Sequence, residues 1–325
     1  MSTLPLVLMT HTLPADWIVS LEGKCQIVKG PIDATEMDIT LYEHLAEAQA
    51  LFTLLTIQIG KNEIDQAPNM RVISNMAVGV DNIDIATCTQ RRIPVGNTPG
   101  VLTEGTADLA MALLLAAARG LPQASLDARE GRWKTWSPTG WLGKDLNGAT
   151  IGIVGMGKIG GAVAKRAMGF GMRVVYYDPQ TKDISQAESC SFEDVLKKSD
   201  FISLHVPLNS QTHHLMNQQA FDLMRSDAIL VNASRGSVVD TDALYKALLD
   251  KRIAGAALDV TDPEPLPPDH PLLTLQNCLV VPHIGSATRN TRRHMAELAC
   301  ENLLAGLQGR RLPYCVNPEV YERQS

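Results

Sequence analysis

Between Thr150 and Asp178 the chain sets down a strand-like run, a glycine turn, a helical run, a second strand-like run and an acid, without interruption. Gly155-Met156-Gly157-Lys158-Ile159-Gly160 directly follows TIGIV and opens IGGAVAKRAMGF. A G-x-G-x-x-G alone is a weak signal, because glycines recur in ordinary turns. Here the context gives each glycine a task. Gly155 permits a tight turn, Gly157 lets a pyrophosphate approach the backbone, and Gly160 allows the helix to lie close on the strand. The helix N-terminus then faces the phosphates. The next strand, RVVYY, ends at Asp178, about 20 residues on, where an acid is expected to take the adenosine ribose hydroxyls. A carboxylate there repels a 2'-phosphate, and Pro179 to Lys182 offers no arginine to receive one. Lys182 is the nearest cation. NAD(H) is therefore expected in preference to NADP(H).

The alternation continues along the chain. Strands are expected at Thr150–Val154, Arg173–Tyr177, Phe201–Leu204, Ile229–Asn232, Gly255–Val260 and Leu279–Pro282, with helices at Ile159–Phe170, Phe192–Lys198, Gln218–Met224 and Asp242–Lys251. These strands are near-continuous apolar runs, the pattern of a parallel sheet covered on both faces. A smaller set of alternations fills the first hundred residues: LPLVLMT, LFTLLT, RVISNM and RIPVGN read as strands. At 325 residues the chain suits two domains. Composition shifts near Asn97 to Gly100, and again where PHIGSAT gives way to a helix over Arg292–Leu307. The apolar stretch Leu109–Ala118 is about half of a membrane span and reads as a helix buried on nearly all sides.

Other chemistries find no support. The net charge of -6 argues against a broad nucleic-acid surface. Six cysteines lie scattered without a C-x-x-C pair, as reduced thiols of a cytoplasmic protein do. Eight histidines include no H-E-x-x-H, so no metal site is expected. The N-terminus lacks the pattern of a secretion signal, and no membrane association is expected.

In open parallel sheets ligands bind beyond the carboxyl ends of the strands. After ILVN comes Ala233-Ser234-Arg235, after AALDV comes Thr261-Asp262-Pro263-Glu264, and after LVVP comes His283. Three strands thus deliver an arginine, a glutamate and a histidine to the edge that also carries Gly155 and Asp178. Arginine offers a planar fork of donors for a carboxylate. Histidine can exchange a proton with a carbonyl oxygen, and a glutamate on its other nitrogen fixes the tautomer and favours the charged form. Taken singly, they have structural alternatives: a lone histidine is more often a satisfied structural residue, and Glu264 between prolines could be a loop acid. Their convergence on one edge carries the reading.

VGMGKIG, NASRGSVVD, LDVTDPEP and PHIGSAT together resemble the D-isomer-specific 2-hydroxyacid dehydrogenases, over nearly the whole chain. The resemblance implies two doubly wound α/β domains: a Rossmann-type dinucleotide-binding domain over 101–287, and a flavodoxin-like, discontinuous substrate-binding domain over 1–100 and 288–325. It implies His283 as the acid/base, Glu264 as its partner and Arg235 as the substrate-orienting cation. Asp259 would hold the nicotinamide carboxamide. Lys158, Ile159, Val206, Pro207, Thr212, Ala233, Arg235, His283 and Gly285 would also contact the cofactor. The substrate carboxylate would sit on the backbone amides of Val78 and Gly79. The family's D-V-F-E-x-E-P stands here as Asp259-Val260-Thr261-Asp262-Pro263-Glu264-Pro265, which keeps the final glutamate and disfavours the formate dehydrogenase branch.

The run from Trp133 to Leu142 resembles that of glyoxylate/hydroxypyruvate reductases, in which the last tryptophan, here Trp141, reaches the partner subunit's substrate pocket. The alternative is that Trp133, Trp136 and Trp141 simply pack a dimer interface; both imply a homodimer. The expected activity is reduction of small 2-keto acids such as glyoxylate and hydroxypyruvate. A 2-ketogluconate reductase, a D-lactate-type dehydrogenase and an NAD-sensing corepressor remain the alternatives.

Overall fold

The computed structural model describes residues 4–322, apart from Thr181 and Asp183. The ends of the expected discontinuous domain, 1–3 and 323–325, and Thr181 in the run after Asp178, lie outside the described residues. The chain forms two compact units, Met1–Leu102 with Thr288–Ser325, and Thr103–Ala287.

In the first unit, β1 (Leu6–Met9), β2 (Gln26–Lys29), β3 (Ala50–Thr53), β4 (Val72–Asn75) and β5 (Val95–Gly96) form a parallel sheet in the order β2-β1-β3-β4-β5. This is the flavodoxin-like strand order. β2 was not expected from the sequence. It is an edge strand whose outer residues Gln26 and Lys29 are exposed, so it carries no apolar run. The helix Arg289–Leu307 packs across β3 and β4, and the Ser74 hydroxyl donates to the Ala299 carbonyl at 2.8 Å. Asn302 ties the same helix to the Asn97 carbonyl and the Tyr314 N–H.

In the second unit, β6 (Thr150–Val154), β7 (Arg173–Tyr177), β8 (Ala187–Ser189), β9 (Phe201–Leu204), β10 (Ile229–Asn232), β11 (Gly255–Leu258) and β12 (Cys278–Val280) form a parallel sheet in the order β12-β11-β10-β9-β6-β7-β8. The strand order reverses where β6 meets β9, as in a dinucleotide-binding fold. β6, β9, β10 and β11 are buried throughout. Alternation of side chains divides β10 between two cores: Ile229 and Val231 face one, Leu230 the other.

Several boundaries shift. β11 ends at Leu258, because the next residue, Asp259, is a buried acid committed to a turn. β12 spans Cys278–Val280 rather than Leu279–Pro282. The last helix starts three residues before Arg292, at Arg289, because Thr288 caps it through the Thr291 N–H. β8 was missed; two of its three residues are exposed.

A larger correction concerns the apolar helix Thr103–Ala118. Ala107, Ala110, Leu113 and Leu114 are buried, but Ala112 is exposed and Leu109 and Leu115 are only half-buried. Apolar composition marks surface that seeks cover; one copy of this chain covers only one face of it. No single helix among the described residues is long and apolar enough to cross a membrane.

Candidate active site

The carboxyl edge of the second unit's sheet begins with the glycine turn after β6. Gly155 has φ +94°, and a Cβ there would meet the His205 carbonyl oxygen at 2.7 Å. A Cβ on Gly160 would meet the Gly155 carbonyl oxygen at 2.1 Å, so the helix Lys158–Gly169 can lie this close only without a side chain. Gly157 differs. A Cβ there would meet nothing within 4 Å, and as N-cap it offers the helix no side-chain acceptor. The turn is tight where it packs on protein and open before the helix N-terminus, as a bound pyrophosphate requires.

Asp178, at the end of β7, is bound into the same turn. Its Oδ2 accepts the Met156 N–H and its Oδ1 the Gln180 N–H, both at 2.9 Å. Each oxygen retains a lone pair toward solvent. Lys182 directs its ammonium to the Gln180 side chain at 3.0 Å. In the loop after β9, Val206 is buried, and the Thr212 hydroxyl donates to the Pro207 carbonyl at 2.6 Å. The hydroxyl of Thr212 thereby shapes the loop.

After β10, Ala233 is buried, and buried Asn232 organises the segment carrying Arg235. Its amide donates to the Arg235 carbonyl at 2.9 Å and its oxygen accepts from the Ser234 N–H and hydroxyl. The guanidinium of Arg235 donates to the Ser234 carbonyl at 2.8 Å. The loops after β10 and β11 touch backbone to backbone: a Cβ on Gly236 would lie 1.8 Å from the Thr261 carbonyl oxygen. Ser237 then donates its hydroxyl to Asp262 at 2.5 Å, and Thr241 donates to the Asp262 carbonyl. The arginine-bearing and glutamate-bearing loops are thereby locked together.

His283 Nδ1 lies 2.6 Å from Glu264 Oε1, and the Thr261 N–H donates to Glu264 Oε2 at 3.3 Å. The histidine sits at φ +50°, a left-handed backbone uncommon for a residue with a side chain. Asp259 holds it there. The Asp259 carbonyl accepts the His283 N–H, and its carboxylate accepts the N–H groups of Ile284 at 2.6 Å and Gly285 at 2.9 Å. Burial pushes the Asp259 carboxyl up, against those N–H groups and the neighbouring His283. The residue expected to hold a carboxamide is thus also the clamp that sets the histidine's turn.

The glycine turn, Asp178, Arg235, Asp259, Glu264 and His283 therefore share the carboxyl edge. Val78 and Gly79 follow β4 in the first unit, where Val78 is exposed. Trp141, at φ +49°, donates its indole N–H to Asp127 Oδ2 at 2.8 Å. Gln123 and Arg132 also donate to Asp127, and with Trp141 foremost they hold that carboxyl below its ordinary range. Among the described residues, no group of three or more His, Cys, Asp or Glu could hold a metal ion.

Sequence reading missed Asn232, whose side chain holds the segment carrying Arg235, and it missed Ser237 and the bridging part of Asp262, whose bond joins the loops after β10 and β11. It also passed over His205, though that residue directly follows β9. Burial brings its imidazole down to about 4; Nε2 meets the Ser203 hydroxyl at 2.8 Å, and Nδ1 has no partner among the described residues.

Residues 111–285 match the family model of the D-isomer specific 2-hydroxyacid dehydrogenase, NAD binding domain. A glyoxylate reductase from Korarchaeum cryptofilum is 46% identical over 321 residues, 97% of each chain. The crystal structure of a protein from Thermus thermophilus superposes with a TM-score of 0.91 at 46% identity, covering 96% of this chain and 99% of that one. An NADPH-dependent glyoxylate/hydroxypyruvate reductase from Sinorhizobium meliloti, solved with NADP and malonate, has a TM-score of 0.85 at 29% identity, covering 99% of both chains.

Proposed function

This chain belongs to the D-isomer specific 2-hydroxyacid dehydrogenase family, and on that premise we propose that it reduces small 2-keto acids of the glyoxylate and hydroxypyruvate class to 2-hydroxy acids. The observation that carries the reading is the Glu264 carboxylate on His283 Nδ1 at 2.6 Å, with Nε2 left for a substrate. The names of the relatives described above support the substrate class.

The glycine turn fits a dinucleotide: tight at Gly155 and Gly160, open at Gly157. The N–H groups opening the helix at Lys158 and Ile159 receive the pyrophosphate, and Asp178 receives the ribose hydroxyls. Val206, Pro207, Thr212, Ala233 and Gly285 continue the same edge. Asp178 favours NADH over NADPH by charge. Bound NADH supplies the hydride.

Protonated His283 donates from Nε2 to the substrate's carbonyl oxygen and recovers the proton in the reverse direction. Glu264 meets Nδ1 and fixes the orientation of the imidazole. Arg235 offers its fork to the substrate carboxylate and polarises the neighbouring carbonyl. In the first unit, Val78 and Gly79 are the residues whose backbone N–H groups are assigned to a substrate carboxylate. Asp259 keeps the His283 turn in place and has remaining lone pairs for the carboxamide.

A homodimer belongs to the reading. Trp133, Trp136 and Leu142 are 63%, 80% and 77% exposed, beside a helix with one uncovered apolar face. A soluble chain buries such surface against a partner. Trp141, braced by Asp127, is the residue assigned to the partner's pocket. Six free thiols support a cytoplasmic setting.

The test is NADH and NADPH oxidation with glyoxylate, hydroxypyruvate, pyruvate and 2-ketogluconate. The highest kcat/KM is expected for glyoxylate or hydroxypyruvate with NADH. No turnover of any keto acid would sink the reading, and a clear preference for NADPH would sink the cofactor assignment alone.

A further inference from the structure

Gly285 follows His283 by two residues and is gripped by both of its backbone groups. Its N–H donates to the Asp259 carboxylate at 2.9 Å. Its carbonyl accepts the hydroxyl of Thr106 at 3.3 Å, from 179 residues upstream. Gly285 is buried, and a Cβ there would meet Asp259 Oδ2 at 2.9 Å and the Thr106 methyl at 3.4 Å. The turn therefore has little room to settle into another backbone path. That matters for His283, whose φ of +50° is a conformation that persists only where the surroundings over-determine it. Asp259 provides one such constraint through the N–H groups of the turn. Thr106, which has no part in the chemistry above, provides a second through a carbonyl.

Thr106 lies in the helix Thr103–Ala118, which packs across β10, β11 and β12. The buried neighbours on this helix, Ala107, Ala110, Leu113 and Leu114, join Ile153, Val231 and Ala257 in an apolar core. Thr106 itself is 6% exposed. Valine has the shape of threonine and would fill this place without the cost of burying a hydroxyl. The hydroxyl thus serves a bond, beyond what packing asks of the position. The start of the helix is anchored independently. Arg166, on the helix Lys158–Gly169 that opens at the glycine turn, reaches Glu104 Oε2 and Asp108 Oδ1, both at 2.7 Å. It also donates to the Glu104 carbonyl at 3.3 Å. Thr106 therefore stands on a turn fixed from the dinucleotide helix and is bonded to the turn that carries His283.

We propose that Thr106 is a positioning residue for the acid/base step, holding the His283 turn by the Gly285 carbonyl while Asp259 holds it by the N–H groups. This rests on the keto-acid reading and extends it from the residues that react to one that keeps them aligned. Thr106 acts through Gly285 alone. Without its hydroxyl the buried Gly285 carbonyl loses its donor, and the peptide is free to rotate. His283 then spends less of its time aligned with Glu264.

Thr106→Val keeps the shape and loses the hydroxyl; Thr106→Ser keeps the hydroxyl and loses the methyl. Both are compared with wild type by glyoxylate kinetics, NADH titration and hydrogen exchange at the Ile284 and Gly285 amides. Thr106→Val is expected to lower kcat by about fivefold and to speed exchange at the two amides by about threefold, with the NADH Kd within about twofold. Thr106→Ser should stay near wild type in all three. A packing role reverses the order, since serine leaves the larger gap. Thr106→Val with wild-type kcat and exchange overturns the proposal, and so does Thr106→Ser that is the worse of the two. Should Thr106→Val not fold, Thr106→Ala is set against Thr106→Ser, two small side chains of which one has a hydroxyl; equal kcat and exchange then overturn it. A wild type that reduces no keto acid overturns the functional reading, and exchange still decides whether Thr106 holds the turn.

Discussion

The two ends of the seven-stranded sheet are built from the same strands and handle charge in opposite ways. At the amino end, Asp200 and Asp227 precede β9 and β10, and Lys144 reaches both, at 3.1 and 2.9 Å. Arg225 adds a second cation to Asp227, and the Thr150 N–H donates to Asp200 at 2.8 Å. Burial works against the Asp200 carboxylate, but Thr150, Lys144 and Arg225 together hold it below its ordinary range. Arg225 and Lys144 hold Asp227 well below as well. At the carboxyl end, Asp259 is pushed up, His205 is brought down to about 4 with Nδ1 unpartnered among the described residues, and His283 occupies a left-handed backbone. The amino end satisfies its charges. The carboxyl end keeps unfavourable groups in place, as functional edges do. Substitutions at the two ends should therefore separate cleanly into activity and stability.

The largest effect is expected at His283. His283→Ala should lower kcat by about 10²–10⁴, the usual range for an acid/base group. Its melting temperature should stay close to wild type, because the residue is half-exposed. A variant that keeps wild-type kcat at neutral pH would break the comparison at its functional end.

Asp178→Ala should shift the NADH/NADPH ratio of kcat/KM toward NADPH by about tenfold, the loss of a charge-assisted hydrogen bond. Asp178 also holds the Met156 N–H, so both cofactors should bind more weakly, and only the ratio isolates recognition. An unchanged ratio would leave Asp178 as a turn residue.

Trp141→Ala should change the hydroxypyruvate-to-larger-keto-acid ratio of kcat/KM by a few-fold, with the proposed dimer intact by size-exclusion chromatography. Asp127→Ala should reproduce part of that change, since it removes the brace on the indole. Loss of the dimer with an unchanged ratio would make both residues packing alone.

The smallest kinetic effect belongs to the amino end. Asp200→Asn should leave kcat/KM unchanged and lower the melting temperature by about 2–4 °C near neutral pH. The sign follows from the depressed folded-state pKa: the stability Asp200 contributes is present above the unfolded carboxylate value, near 3.9. It is lost as pH falls through the folded value. The difference between wild type and variant should begin to shrink as pH falls below about 4 and vanish only below the lower folded value. A gap that does not shrink as pH falls would mean the residue acts through packing.

Much of this division was legible in the sequence, for a physical reason. TIGIV and ILVN are covered on both faces and so are written as unbroken apolar runs. Residues after such strands fall at the carboxyl edge of the sheet by topology alone, and Arg235, Glu264 and His283 lie there. β2 and β8 were illegible because edge strands need no apolar pattern. The supports were illegible for another reason. Asn232 reads as one more strand residue, and Ser237 and Asp262 look like ordinary loop residues until the fold brings the loops after β10 and β11 together. The helix Thr103–Ala118 shows the limit from the other side: its composition announces surface to be covered, but not by which chain.

The return of the helix Arg289–Leu307 to the first unit has a consequence for synthesis. The second unit is contiguous, so all its strands have been made by the time Ala287 leaves the ribosome. The first unit begins earlier and finishes later. Its β3 and β4 wait for that helix, and the backbone N–H of Val95 waits for the Asn317 side chain, 222 residues downstream. A nascent chain stalled in the second unit would expose the buried flank of Phe52 and Val72 throughout the delay. The interval between making β4 and making the helix that covers it is when this chain most needs a chaperone.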